Sequence, residues 1–142
     1  GNMASDDPEG TRIFEQLMEY RDERTLILSD GDDPLLVSAL QSRAAVVLQK
    51  SIREGFGLTV TEAMWKGRPV IGGKAGGIPR QIDDGINGFL VSSVEEAAAR
   101  IVQILRDPDL GERLGKNARR KVTARFLLPR LLEEYLDVFN GA

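Results

Sequence analysis

Short apolar runs alternate along the chain with segments in which apolar residues recur at helical spacing. The runs predict four strands, at 25–28, 44–49, 69–72 and 89–91. Helical spacing predicts helices at 7–20, at 34–43 and between 57 and 67. The run at 44–49 is almost wholly apolar, which is typical of a parallel strand buried on both faces. This alternation indicates an α/β fold with an open sheet whose core is parallel.

The last fifty residues carry start signals for further helices. Ser93 and Glu96 have the spacing of a capping box, so a helix is predicted to begin there. Asp107 with Pro108 ends that helix and begins another, because proline fits the first helical turn. A final helix is predicted over 128–139, so the chain from about 93 to 142 is predicted to be helical. The inward positions of the first of these helices are Ala97, Ile101, Ile104 and Leu105.

The composition excludes several classes of protein. The chain has no histidine, which excludes Ser–His–Asp triads and HExxH metalloproteases. It has no cysteine, which excludes disulfides and Cys-ligated zinc and fits a reducing compartment. A net charge of −3 argues against a nucleic-acid partner. No apolar run reaches the ~18 residues that cross a bilayer and no secretion signal is visible, so no membrane partner and a cytoplasmic location are expected.

One window, 50–80, differs in charge from the rest of the chain. It holds six basic and two acidic residues, a balance of +4, so the remainder of a chain with a total of −3 carries −7. A basic, glycine-rich window suits an anionic ligand, although chance clustering on a solvated face explains the charge equally well. Gly55 and Gly57 would let a ligand approach the backbone. The first amides of the next helix, at Gly57, Leu58 and Thr59, would hold a phosphate at the positive end of the helix dipole.

Two glutamates flank this predicted phosphate site. Carboxylates repel phosphate but accept hydrogen bonds from sugar hydroxyls, so Glu54 and Glu62 are interpreted as sugar ligands that face one groove. A competing interpretation makes Glu62 part of a capping box with Thr59. For Glu54, a local ion pair with Arg53 or Lys50 is the alternative.

A second glycine-rich loop follows the next predicted strand. Gly76 and Gly77 lie in this loop, which would reach the same crevice because the carboxyl ends of parallel strands meet at one edge of the sheet. The alternative is a plain flexible turn.

These motifs together resemble those of a known family. The pair Glu54 and Glu62, the loop with Gly76 and Gly77, and the D-G-x-x-G-F-L-V segment from Asp84 to Val91 resemble the donor-binding half of retaining GT-B glycosyltransferases of family 4. The stretches 49–57 and 65–67 are most similar to trehalose-forming members, the trehalose glycosyltransferring synthases and the trehalose phosphorylases.

The resemblance implies two Rossmann-like domains with the active site between them. Residues 1–142 would then form one partial, N-terminally truncated Rossmann-like domain that binds a nucleotide sugar, while an absent N-terminal domain would bind the acceptor sugar. The strand at 25–28 would lack its neighbouring strands, so it would be disordered, swapped or paired in a new way. The truncated edge or the apolar face of the last helix would favour a homo-oligomer.

The resemblance also implies a reaction: retaining transfer of glucose from a nucleotide sugar such as UDP- or ADP-glucose to glucose, forming trehalose, with no cofactor and no metal. Glu54 would be the catalytic residue and Glu62 would bind the ribose. The donor sugar and diphosphate would contact Gly55, Phe56, Gly57, Leu58 and Thr59. Further contacts to the donor would come from Lys50, Arg53, Gly76 and Gly77. A trehalose phosphorylase and a non-catalytic binding or assembly module are the alternatives, and the isolated chain is expected to be inactive.

Overall fold

The computed structural model describes residues 8–28 and 33–141, which belong to two compact units divided after Ala39. Helix α1 spans Pro8–Met18 in the first unit. Helix α2 spans Pro34–Arg43, and its last residues, from Leu40 onward, belong to the second unit. Both helices were predicted within two residues of these bounds, whereas the assignment of the whole chain to one domain stays a prediction.

The predicted strand at 25–28 is wrong. Thr25 forms only an isolated antiparallel bridge with Asp22, and residues 26–28 have no regular structure. The turn from Asp22 to Thr25 is closed by a local hydrogen bond, in which the Arg24 N–H donates to the Asp22 carboxylate at 2.8 Å. The Thr25 hydroxyl, followed by the Arg24 amide, holds the pKa of Asp22 below its usual range. An apolar run becomes a strand only beside another strand, and the first unit has none among its described residues. The turn-forming residues that follow this run in the sequence, at 29–33, lie mostly outside the described residues.

The second unit contains a parallel sheet with the order β1-β2-β3. Its strands are β1 (Val47–Gln49), β2 (Val70–Gly73) and β3 (Phe89–Val91). All three were predicted, although β1 is shorter than its apolar run. Leu48 in β1 is 45% exposed, so the predicted burial on both faces is wrong. Within the described chain β1 pairs only with β2, and an edge strand lacks the cover that a central strand has.

Five helices of the second unit follow these strands: α3 (Leu58–Trp65), α4 (Ile78–Gln81), α5 (Val94–Arg106), α6 (Pro108–Arg125) and α7 (Leu128–Phe139). Only α4 was not predicted. Successive residues of a strand face opposite sides of a sheet. Accordingly, Val70 packs in one apolar cluster with residues of α3 and α6, and Ile71 packs in another with residues of α5 and α6. The central strand β2 is therefore covered on both faces.

The predicted helix starts are confirmed. The Ser93 hydroxyl accepts from the Glu96 N–H at 3.1 Å, while the Glu96 carboxylate accepts from the Ser92 N–H, one residue before the usual partner. Asp107 caps α6 by accepting from Leu110 at 3.0 Å. Leu105 is 55% exposed, so its predicted inward position is wrong.

Helix α7 presents an apolar surface to solvent. None of its residues is buried, and its leucines and aromatic residues are about half exposed or more. The exposed apolar face expected for this helix is therefore present. In the described part of the chain, no helix combines the length and apolar character needed to cross a membrane.

Candidate functional site

The predicted site residues lie on two loops that follow neighbouring strands. One loop runs from the end of β1 to α3, and the other runs from the end of β2 to α4. Since β1 and β2 are parallel, both loops leave the same edge of the sheet. The predicted ligand crevice lies at this edge.

The two loops touch through their backbones. The Gly77 N–H donates to the Gly55 carbonyl at 2.7 Å. A Cβ at Gly76 would lie 1.7 Å from the Glu54 carbonyl oxygen, and one at Gly77 would lie 2.8 Å from the Phe56 carbonyl oxygen. Only glycine permits this approach, and Gly76 also has a φ of +53°. The packed loop does not fit a plain flexible turn.

Glu54 is half-buried and its carboxylate is held by neutral donors. Gln49 Nε2 and the Ser51 hydroxyl donate to Oε2 at 3.3 and 3.2 Å, and the Gly55 N–H donates to Oε1 at 3.1 Å. The ion pairs of the described residues include neither Arg53 nor Lys50, so the alternative of a local ion pair is wrong. Three neutral donors hold this carboxylate in a defined direction.

The start of α3 carries no side-chain cap. Gly57 lies at the N-cap with a φ of +84°. Its carbonyl accepts from the Val60 N–H at 3.0 Å, whereas the N–H groups of Leu58 and Thr59 have no acceptor in the described ranges. Unpaired amides at the positive end of a helix dipole are suited to an anion. Phosphate binding at these amides stays a prediction.

Glu62 lies one turn inside α3 and is exposed. The competing capping-box interpretation is wrong, because α3 already begins at Leu58 and Thr59 is inside the helix. Instead, Glu62 Oε2 accepts from Gln41 Nε2 at 3.2 Å. The expectation that Glu54 and Glu62 face one groove stays a prediction.

Sequence reasoning missed four glutamine and serine side chains that position this site: Gln41, Gln49, Ser51 and Gln81. Gln81 is fully buried, its Nε2 donates to the Phe56 carbonyl, and its Oε1 has no partner in the described chain. Gln49 and Ser51 could have been found, since polar residues at the carboxyl end of a parallel strand often face a ligand crevice. Gln41 and Gln81 gave no local signal.

A cleft of about 680 Å³ lies between the turn before β3 and helices α6 and α7, and Phe126 in its lining packs edge-on against Phe56 of the first loop, with 5.7 Å between the ring centroids. None of the predicted site residues lines it. Its two acids are already paired, Asp83 with Lys121 at 2.8 Å and Glu134 with Arg130 at 2.6 Å. The described residues contain no group of three acidic side chains that could hold a metal ion.

Two glycine-packed loops at the carboxyl edge of a parallel sheet, beside a helix start without a side-chain cap, are features with which open α/β domains bind anionic ligands. The chain belongs to the family described as glycosyl transferases group 1, whose model matches residues 11–121. The resemblance stated from the motifs is confirmed.

Individual relatives show which glycosyltransferases this chain is similar to. The chain is 45% identical to the trehalose synthase of Pyrococcus horikoshii, over 99% of this chain and 35% of the relative. It is 34% identical to the trehalose phosphorylase of Grifola frondosa, over 87% of this chain and 18% of the relative. The chain therefore spans about a third or less of the length of these curated relatives.

Solved structures share the fold. Sucrose-phosphate synthase from Thermosynechococcus elongatus aligns with all of this chain and 38% of its own, with a TM-score of 0.82 and 30% identity. Anabaena Alr3699/HepE, solved in complex with UDP and glucose, aligns with 75% of this chain and 30% of its own, with a TM-score of 0.67 and 27% identity. The predicted α/β class with an open parallel sheet is confirmed.

Proposed function

We propose that this chain binds the donor of a retaining glycosyltransferase that moves glucose from a nucleotide-glucose to glucose and forms trehalose. The free start of α3, next to the fixed carboxylate of Glu54, is the observation that carries the proposal. The 45% identity to a trehalose synthase supports the product, and the HepE complex supports a nucleotide-sugar donor.

Each group at the site has a distinct role in this proposal. The amides of Leu58 and Thr59 hold the diphosphate, because they are donors at a positive helix end. Glu62 accepts hydrogen bonds from the ribose hydroxyls. Glu54 orients the transferred glucose and stabilises positive charge that develops on its ring, since its carboxylate is already fixed by three donors.

The chemical step follows from the family's retention of configuration. The bond between the anomeric carbon and the diphosphate oxygen breaks, and the acceptor hydroxyl forms a new bond on the same face. The leaving phosphate oxygen takes the hydroxyl proton, which suits a chain without histidine. Glu54 acts in this step by preorganisation, and neither metal nor cofactor has a part in the proposal.

An assay of the longest natural form of the protein tests this function. Labelled UDP-glucose and ADP-glucose are each incubated with glucose, and trehalose formation is measured. A parallel reaction replaces the nucleotide sugar with glucose 1-phosphate, because the 34% identical trehalose phosphorylase favours that donor as the second candidate. Trehalose from a nucleotide-glucose alone supports the proposal, and trehalose from glucose 1-phosphate alone establishes the phosphorylase.

If none of the reactions forms trehalose, the enzymatic assignment is overturned, and a binding or assembly module is the function that remains. A cytoplasmic location, expected from the sequence, is part of the same proposal and is tested by cell fractionation.

A further inference from the structure

A buried glutamine separates two opposite charges that would otherwise pair. Glu62 lies inside α3 and Lys66, four residues later, is at the C-cap of the helix. The Lys66 N–H donates to the Glu62 carbonyl at 3.1 Å. Glutamate four residues before lysine is the spacing at which side chains form a direct ion pair. The ion pairs of the described residues do not include this one.

Gln41 takes the place of the direct contact. Lys66 Nζ donates to Gln41 Oε1 at 2.5 Å, and Gln41 Nε2 donates to Glu62 Oε2 at 3.2 Å. The orientation of the amide is unambiguous, because an ammonium group can only donate and a carboxylate can only accept. Gln41 is 6% exposed, so the bridging side chain is fixed by its surroundings.

The bridge leaves one carboxylate oxygen unoccupied. Glu62 Oε2 receives the Gln41 amide, while Oε1 accepts no hydrogen bond from the described residues. A lysine ammonium in direct contact would compete with a ligand hydroxyl, because a charged donor binds carboxylate more strongly than a neutral one.

We infer that Gln41 is a positioning residue, which holds Lys66 away from Glu62 and keeps Glu62 Oε1 available for the ribose hydroxyls of the donor. This inference rests on the proposed function, in which Glu62 is the ribose ligand. It adds a residue from a different helix, α2, to the nucleotide site and explains why the carboxylate is not neutralised by its own helix neighbour.

The decisive variant is Gln41→Met, which keeps the length of the side chain but removes both polar atoms. Lys66 then turns to Glu62, and the preference for a ribose with hydroxyls falls. Gln41→Met combined with Lys66→Met restores that preference, because no ammonium remains to occupy the carboxylate. Lys66→Met alone leaves the preference unchanged. A merely structural role of Gln41 would not be rescued by removing Lys66.

The readout is the ratio of dissociation constants for 2′,3′-dideoxy-UDP and UDP, measured by NMR titration of the chain, with the ADP pair in parallel. Wild type prefers the intact ribose by roughly tenfold or more, the value of one hydrogen bond to a charged group. The ratio falls severalfold in Glu62→Gln, because a neutral amide oxygen accepts more weakly than a carboxylate, and it falls by a similar factor in Gln41→Met. Amide spectra of each variant verify folding, and Gln41→Asn, one methylene shorter, replaces Gln41→Met should the latter not fold.

The outcomes separate the inference from the function on which it rests. An unchanged ratio in Glu62→Gln, or no binding of either nucleotide by wild type, overturns the ribose role and the inference with it. If the preference for the intact ribose falls in Glu62→Gln but not in Gln41→Met, the inference alone is overturned. The same holds if the double variant shows a preference as low as that of Gln41→Met.

Discussion

Gly76 lies at the contact between the two site loops, and alanine at this position should separate them. Its φ of +53° is a left-handed conformation, which costs an L-residue with a Cβ about 1–2 kcal/mol. The added Cβ would also lie 1.7 Å from the Glu54 carbonyl oxygen and 2.7 Å from that of Gly55. Both neighbours are backbone atoms, so no side-chain rotation relieves the clash.

The size of the effect follows from the displacement that is needed. Real Cβ contacts are essentially never under 3.0 Å, so the Glu54 carbonyl must move by about 1.3 Å from its present 1.7 Å. Overpacking of this kind costs typically 1–3 kcal/mol. Added to the left-handed conformation, the free energy of unfolding should fall by roughly 2–5 kcal/mol in total.

Gly85→Ala is the matched control. Gly85 has a φ of +75°, but nothing lies within 4 Å of a Cβ built there. This variant therefore carries the conformational cost without the clash. Urea unfolding followed by the fluorescence of Trp65 should show Gly76→Ala losing about 1–3 kcal/mol more than Gly85→Ala, with similar m values. Equal losses would refute the packed contact between the two loops.

Three further predictions concern single side chains. Ser93→Ala removes the cap of α5 and should lower the free energy of unfolding by about 1 kcal/mol, while Ser92→Ala, next to the cap, changes it little in the same urea titration. Glu54→Gln should lower kcat by roughly 10²-fold or more, with a far smaller change in the urea midpoint, and comparable losses in both would make Glu54 structural. Lys116 lowers the pKa of Glu112, so Lys116→Met should raise that pKa toward its ordinary value in an NMR titration. The pKa of Glu112 is lower in the folded protein than in the unfolded protein, so the Glu112–Lys116 pair adds stability above the unfolded-state pKa. The free energies of unfolding of wild type and Lys116→Met should therefore converge as the pH falls through the native pKa of Glu112.

Elements with local signals could be predicted from the sequence. The bounds of β3 and α7 match the predicted bounds because both are set by neighbours in sequence: the Gly85 to Gly88 turn before β3, and a proline at the first turn of α7. The glycine loops and the free start of α3 were predicted for the same reason. Glycine at the N-cap supplies no side-chain acceptor, which is readable from one position.

Features that depend on distant neighbours could not be predicted. The run at 25–28 has strand composition, but whether it forms a strand depends on a partner that composition does not reveal. The exposed Leu48 reflects the position of β1 at the edge of the described sheet. Gln41 reaches Glu62 and Lys66 across 21 and 25 residues, and Gln81 reaches the Phe56 carbonyl across 25. Such contacts are set by the tertiary fold.

The central claim is that the free start of α3 binds the diphosphate of a nucleotide sugar. An NMR titration of the chain with UDP-glucose, observing backbone amides, tests it most directly, with the amides of α7 as an internal reference. Binding at this helix start should produce saturable shifts of the Leu58 and Thr59 amides, which UDP reverses by competition and which weaken as salt is raised. Unmoved amides at α3, with shifts confined to the cleft lined by Arg80 and Arg125 or absent altogether, would contradict it.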